Sequence, residues 1–536
     1  MNYEERKDTF MSLKSITKAV LIRCQCSFVI CCQCSFVISL LLSVYGCTSG
    51  LSDGPAYPEA CPSGRPYQAT GIKIGEVTDN AAIVWTRLTR HPERVGTQAP
   101  MPQILYRDPK TGELTDKRKG RPNLPPVVSF PEGSTIQTIE GAVPGAPGTV
   151  RVMYKIKGAS DWKSTNWKAV DPQRDYTCQF KLTDLKPNAE YQVRVEAGAR
   201  RKTKNSKLKT QKCVVAGRFR TAPRADQPER VVFMVSTGQA YPDQDVPGGG
   251  FKIYPAMLKL DPSFFVHTGD ILYYDKLAKT IELARWHWQR MYSLGTNVEF
   301  HRQVASYFIK DDHDTWMNDC WPSRETKFMG DFTFEQGQAV FLEQVPMGER
   351  TWRTFRWGKN LQIWLVEGRD FRSPNTMPDG PDKTIWGEKQ KAWFKRTVRK
   401  SDATFRILIS PTPLVGPDRT NKHDNHSNVD FAHEGNELRK FISKQKNMYV
   451  LCGDRHWQYV SVDAKTGVRE YSCGPASNEH AGGWSNDQRL PEHRYLNVIG
   501  GFLAVIVDRS EGKPTLTFRH YSVEGDILNE DRPATQ

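Results

Sequence analysis

Residues 311–314 read Asp-Asp-His-Asp, directly after the apolar run Tyr307-Phe308-Ile309. Neighbouring carboxylates repel one another, and burial strips them of hydration. Water or a bound cation must screen them, so the stretch FIKDDHDTWMND is a candidate for metal chemistry at the mouth of a buried strand. Three further clusters stand in the same relation to an apolar run. They are Gly269-Asp270 after SFFVHT, Arg369-Asp370 after LQIWLVEG, and Asp454-Arg455-His456 after MYVLCG. Taken singly, a Gly-Asp behind a strand is a turn or a helix N-cap. Four such clusters at successive strand ends converge if the fold brings the ends together. A metal pair is then the economical explanation.

The elements that would position them are legible. From about 231 onward, short apolar runs alternate with longer helical stretches. The runs are VVFMVS (231–236), SFFVHTGD (263–270), SYFIKDDHD (306–314), LQIWLVEGRD (361–370), TFRILISPTP (404–413) and MYVLCGDRHW (448–457). Helices are expected at TIELARWHWQRMYSL (280–294) and WGEKQKAWFKRTVRK (386–400). This is the pattern of an α/β layered domain, whose ligands bind beyond the carboxyl ends of the strands. Residues 67–223 differ: AAIVWTRL (81–88), TVRVMYKIKG (149–158), TCQFKLTDL (177–185) and EYQVRVEAG (190–198) are short strands between turns. That is an all-β sandwich signature with no catalytic constellation.

GDILYYD (269–275), DDHD (311–314) and GDRHW (453–457) together resemble the alkaline phosphatase D (PhoD-like) family of metallophosphoesterases. The segment GIKIGEVTDNAAIVWTRL (71–88), closing at GRFRTAP (217–223), resembles that family's N-terminal immunoglobulin- or fibronectin-like domain. The resemblance implies an immunoglobulin/fibronectin-like domain over 67–223 and a metallophosphatase domain over 230–525. It also implies a hydrolase of phosphate monoesters or diesters acting through a water activated by two metals. Asp270 would bridge both metals, and Tyr273 and His456 would complete the first site. Asp312 and Asp454 would serve the second. A phenolate ligand suits Fe3+, and an all-oxygen second site suits Ca2+. His313 would protonate the leaving oxygen, or else be a structural histidine. Arg369 would clamp phosphate oxygens with its planar fork, or else form a rim ion pair with Asp370. Gln239 would stand behind the metal ligands.

One departure stands out. The family carries a cysteine iron ligand just after the first strand, in a segment like SCQ. Here that segment reads STGQ (236–239), and Gly238 occupies the cysteine position. The first metal therefore has one protein donor fewer, with Thr237 a weak substitute. Two polar loops, GPDRTNKHDNHSN (416–428) and SCGPASNEHAGG (472–483), read as surface loops, with lid or substrate contact as the alternative.

The chain has 536 residues, a net charge of +15 and 14 tryptophans, which exclude a disordered chain and favour anionic partners. Residues 1–47 have basic residues, a long apolar stretch with the repeat CQCSFVI, and VYGC at 44–47. This predicts an export signal, a membrane anchor or a lipid attachment, followed by a linker at 48–66. Localisation is expected in the periplasm, envelope or outside the cell. The basic run RRKTKNSKLK (200–209) is a solvated hairpin tip or a contact for an anionic surface. Cys178 and Cys213 lie on strands of one domain and either pair or remain free thiols. The competing reading from another class is a surface-binding or adhesion protein with a catalytically altered metallophosphoesterase domain. A secreted nuclease is a third, but no nucleic-acid recognition motif supports it.

Overall fold

Along the strand Val231–Ser236 every residue is buried, yet alternate side chains enter different cores. Val231, Phe233 and Val235 face one cluster, whereas Val232 and Met234 face another. A strand apolar on both faces must lie between two layers. The computed structural model describes residues 66–116, 124–198 and 213–536. The expected leader at 1–47, nearly all of the linker at 48–66 and the basic run at 200–209 lie outside them.

Two mixed sheets face each other. In the first, Ser306–Phe308, Phe264–His267 and Val231–Ser236 run parallel. Antiparallel strands Phe502–Ser510, Lys513–Tyr521 and Ile527–Asp531 continue that sheet. In the second, Leu361–Leu365, Phe405–Ser410, Met448–Cys452 and Arg469–Cys473 run parallel, with antiparallel strands at both edges. Phe264 and Tyr307 of the first sheet share one core with Ile363, Ile407 and Leu451 of the second. Each such buried side chain contributes about 1.5–3 kcal/mol.

Helices cover the outer faces. Ile281–Tyr292, Gly295–His301 and Phe334–Gln344 pack on the outer side chains of the first sheet. Gly387–Lys400 and Ala432–Ile442 pack through Phe394, Val398 and Leu438 on Trp364, Leu408 and Val450 of the second. The order is helix, sheet, sheet, helix. The expected α/β layering is present, with an additional layer because the two sheets are stacked.

The described residues between 72 and 220 form a region built on β-strands. One antiparallel sheet contains Ile72–Gly75, Ala82–Arg87 and Thr177–Leu182. A second is built on Cys213–Arg220, Glu190–Gly198 and Thr149–Ile156. Ile74, Val84 and Phe180 of one share a core with Val152, Val193 and Val195 of the other. Cys178 is a free thiol and Cys213 is disulfide-bonded, so these two do not pair. Cysteine spacing carries no distance information, which is why sequence left that question open. Among the described residues, no helix is long and apolar enough to cross a membrane.

Candidate metal centre

The carboxyl ends of Phe264–His267, Ser306–Phe308, Leu361–Leu365 and Met448–Cys452 deliver Asp270, Asp311 to Asp314, Arg369, and Asp454 to His456. Asp270 and Asp454 have φ of +53° and +60°, a left-handed conformation in which the chain turns sharply as it leaves the strand. Aspartate tolerates this region better than most residues, and such positions recur at functional sites.

The Asp-Asp-His-Asp stretch divides its work. Asp314 Oδ1 accepts from the backbone N–H groups of Asp270 at 2.9 Å and Asp311 at 3.2 Å, tying two strand ends together. Asp311 Oδ1 accepts from Arg369 Nε at 2.6 Å. Asp312 is held from both sides: Oδ1 accepts from the His313 N–H at 2.9 Å and Oδ2 from the Asp319 N–H at 2.6 Å. Burial opposes its ionisation, but Arg369, His313 and Lys422 outweigh burial and keep it a carboxylate. His313 Nδ1 lies 3.2 Å from Asp275 Oδ1, which leaves Nε2 for another partner. Burial works against charge on this ring too, yet Asp275, Asp312 and Asp270 lift its pKa well above the usual histidine range.

Opposite them stands a polar corner. Tyr273 Oη lies 3.4 Å from Asp270 Oδ2, 3.2 Å from His456 Nε2 and 2.5 Å from His480 Nε2. His456 Nε2 is itself 3.3 Å from Asp270 Oδ2. Burial, with His480 and His313 nearby, holds the His456 pKa well below its ordinary value, so the ring is neutral and able to ligate. Burial and the surrounding aspartates push the Tyr273 phenol well above its usual range. A cation beside it would reverse that sign.

Behind Asp454 lies a network of alternating charge. Arg455 donates to Asp454 and, at 2.7 Å, to Asp418 Oδ1. Asp424 is fully buried, 3.8 Å from Lys422 Nζ and 3.9 Å from Arg369 Nη2. Burial opposes its ionisation, but Lys422, Arg455 and Arg369 hold its pKa far below the carboxylate range. Asp424 therefore neutralises cations inside the fold instead of meeting solvent.

The residues fit a cation pair. Ligand atoms of Asp270, Asp312 and His313 lie within 4.8 Å of one another, as do those of Asp270, Asp311 and Asp454. Asp270 belongs to both groups. Asp270 Oδ1, Asp311 Oδ2, Asp314 Oδ2 and Asp424 Oδ2 are buried acceptors with no hydrogen-bond partner. Burial pushes the pKa values of Asp270 and Asp454 up to about 6. Nearly all the donors are oxygen or imidazole, which suits hard and borderline cations.

Asp270, Tyr273, Asp312, His313, Asp454 and His456 thus come together. Arg369 is placed differently from expectation. It has no solvent exposure, pairs with Asp311 and not with Asp370, and reaches within 3.6 Å of Asp312. Asp370 instead accepts from Lys310 at 2.5 Å. Gln239 is buried behind Asp270, its N–H bonded to the Asp270 carbonyl at 2.7 Å. Thr237 does not swing in; its hydroxyl is bonded to the Gly269 carbonyl at 3.2 Å. Neither polar loop is simply a surface loop. Asp424, Asn425 and His426 are fully buried, and His480 enters the corner beside Tyr273. The available signal was the concentration of His, Asp and Asn in the first loop and the Asn-Glu-His stretch in the second, which composition alone could not aim.

Comparison with known proteins bears on the family and the fold. Residues 233–494 match the family model for PhoD-like phosphatases. No curated protein matches the chain. A solved structure of PhoD superimposes with a TM-score of 0.64 at 14% identity, covering 89% of this chain and 94% of that one. The structure of a purple acid phosphatase from yellow lupin (Lupinus luteus) seeds gives 0.52 at 13% identity, covering 86% and 73%. The fold is therefore shared with both.

Proposed function

We propose that this phosphoester hydrolase, whose residues 233–494 match the PhoD-like phosphatases, would use two cations, with Asp270 among the residues that would hold them. The observation that carries the reading is the position of that carboxylate. Its Oδ2 faces Tyr273 and His456, and the same side chain lies within ligand distance of Asp312 and Asp454 groupings. Tyr273 and His456 would hold one cation, for which the phenolate favours Fe3+. Asp312 and Asp454 would hold the other, for which oxygen donors favour Ca2+. When bound, such a pair supplies charge for the phosphate oxygens and lowers the pKa of an attacking water.

The chain's own residues do the rest. His313, oriented by Asp275, holds a proton on the Asp312 side of the site and delivers it to the leaving oxygen. Arg369 positions Asp311 and Asp312 through buried contacts; its lack of exposure supports this role over a phosphate clamp. The substrate is a small phosphoester, monoester or diester. The region 67–223 is an immunoglobulin/fibronectin-like module ahead of a metallophosphatase domain at 230–525. The apolar leader at 1–47 supports export, as a cleaved signal or an anchor at the cell envelope.

The test is elemental analysis of protein purified without chelators, with hydrolysis of nitrophenyl phosphate and bis(nitrophenyl) phosphate. Two cations per chain with turnover are expected, and Asp270→Asn should lose both together. An active, metal-replete Asp270→Asn variant would refute the assignment. So would a wild-type protein that stays inert after addition of iron and calcium.

A further inference from the structure

Lys73, Trp85 and Gln179 lie in one row across the first sheet of the β-rich region. Lys73 is the register partner of Trp85, and Trp85 of Gln179, so the three side chains share a face. We propose that this row positions Asp312 and His313 for the reaction, acting through the helix Phe334–Gln344. The role it gives Asp312 rests on the two-cation reading above.

The row grips one end of that helix. An α-helix leaves the carbonyls of its last turn without intrahelical donors. For Leu342 the donor would be Pro346, which has no N–H. The β-rich region supplies what is missing. Gln179 Nε2 donates to the Leu342 and Val345 carbonyls, both at 3.1 Å. Trp85 Nε1 donates to the Glu343 carbonyl at 2.8 Å, and Lys73 Nζ to the Gln344 carbonyl at 2.7 Å. Lys73 and Trp85 are buried, with Nζ 3.6 Å above the indole ring. A buried acceptor that loses its donor is costly, so these bonds hold the helix end in one place. Along the same strands Ile72, Ile74 and Val84 face the core of the β-rich region. The row has the opposite orientation and meets the helix instead.

The other half of the helix lies against the turn that carries the site. Gly337 is about 10 Å back along the axis from the gripped end. It meets the Thr315 carbonyl so closely that a Cβ there would stand 1.7 Å from the oxygen. Trp316 Nε1 donates at 2.7 Å to the carbonyl of Phe332, just ahead of the helix. Gln338 Nε2 donates at 2.5 Å to Asp370 Oδ1, which also accepts from Lys310. Thr315 Oγ1 in turn donates to the Asp311 carbonyl at 2.5 Å. A shift of the helix therefore moves residues 311–316, and Asp312 and His313 with them.

Trp85→Phe, Lys73→Met and Gln179→Leu each remove a donor and keep most of the side-chain volume. Native-state hydrogen exchange of the full-length protein, read by mass spectrometry, tests the coupling. In the double variant Trp85→Phe/Lys73→Met the amides of 311–316 should exchange about 10-fold faster. Those of Met448–Cys452 should keep the wild-type rate. Equilibrium dialysis with Co2+ tests the consequence: one of two sites should weaken about 10-fold and the other should not. Val193→Ala, which loosens the β core but leaves the row intact, should lower stability without either change. Wild-type exchange at 311–316 in the double variant, or the same changes in Val193→Ala, would reduce the row to a packing contact. Faster exchange with both Co2+ affinities unchanged would also overturn the proposal. Wild-type protein that takes up no Co2+ would sink the two-cation reading, and the exchange rates then decide the row's hold on His313. Should the double variant fail to fold, Gln179→Leu, whose lost amide serves two carbonyls, decides by the same readouts.

Discussion

Arg369 Nε donates to Asp311 Oδ1 at 2.6 Å, and neither side chain has any solvent exposure. The pair lies under the metal centre, with Asp312 at 3.6 Å and Asp424 at 3.9 Å from the same guanidinium. One cation therefore serves three buried carboxylates. Breaking a buried pair by deleting one partner typically costs about 3–5 kcal/mol. Arg369→Ala should reach that range, because it strands Asp311 and leaves Asp312 and Asp424 with only their other cationic neighbours, Lys422 among them. Asp311→Asn should cost less, since Asp312 and Asp424 still face the guanidinium. Denaturant unfolding of both variants checks this, and equal losses would show that the other two carboxylates do not share the charge.

Gly238 offers a second test through backbone conformation. An L-residue in the left-handed region costs about 1–2 kcal/mol. An added Cβ would also meet His456 Cδ2 at 2.9 Å and Nε2 at 3.0 Å. Gly238→Ala should therefore lower the unfolding free energy by about 1–2 kcal/mol and weaken cation uptake by moving His456. Thermal melts with and without added metal separate the two effects. A variant as stable and metal-loaded as wild type would mean the corner yields easily.

The strands and the convergence of the polar clusters at their ends could be read from sequence because they obey local rules. Val231 to Val235 is continuously apolar and rich in valine, and so short a run between turns is the pattern of a strand buried on both faces. Asp270, Asp312, Asp454 and His456 follow strands directly, so the α/β pattern places them at one edge. The stacking of two sheets was not legible, because a strand buried by a helix looks like one buried by another sheet. Asp424 and His480 were missed for a related reason. They sit in long polar loops whose course is set by tertiary contacts, such as the Thr237–Pro475 bridge, and no periodicity records those. For Arg369 the alternative of an ion pair with Asp370 is not what the fold forms: an Arg-Asp pair in sequence suggests a partner next door, whereas its carboxylate partner lies 58 residues away.

His313 makes a prediction about leaving groups. A general acid matters when the departing oxygen is a strong base and hardly matters when it is a stable phenolate. His313→Asn should therefore lower turnover of an alkyl phosphate by about 10²–10⁴-fold while changing a nitrophenyl ester much less. Asp275→Asn, which removes the carboxylate 3.2 Å from Nδ1, should follow the same pattern more weakly. Rates measured across esters of graded leaving-group pKa give the slope. Uniform loss for every ester would instead assign His313 to binding.

His520 links the two sheets away from the site. It lies on the strand Lys513–Tyr521 of the first sheet, and its Nε2 is 3.0 Å from the Ser472 carbonyl of the second. Burial pushes its pKa down to about 4, against the opposing pull of the Ser472 carbonyl and Asp531. Because the unfolded histidine titrates near 6.5, the unfolded chain binds the proton first as pH falls. Stability from this group is thus complete above about pH 6.5 and is lost between there and about pH 4, by about 3 kcal/mol. His520→Gln keeps an N–H donor for Ser472 but does not titrate. Its unfolding free energy should fall less steeply than wild type over that window, and the two curves should run parallel above it. Identical slopes in both proteins would show that His520 takes up its proton without opening the contact between the sheets.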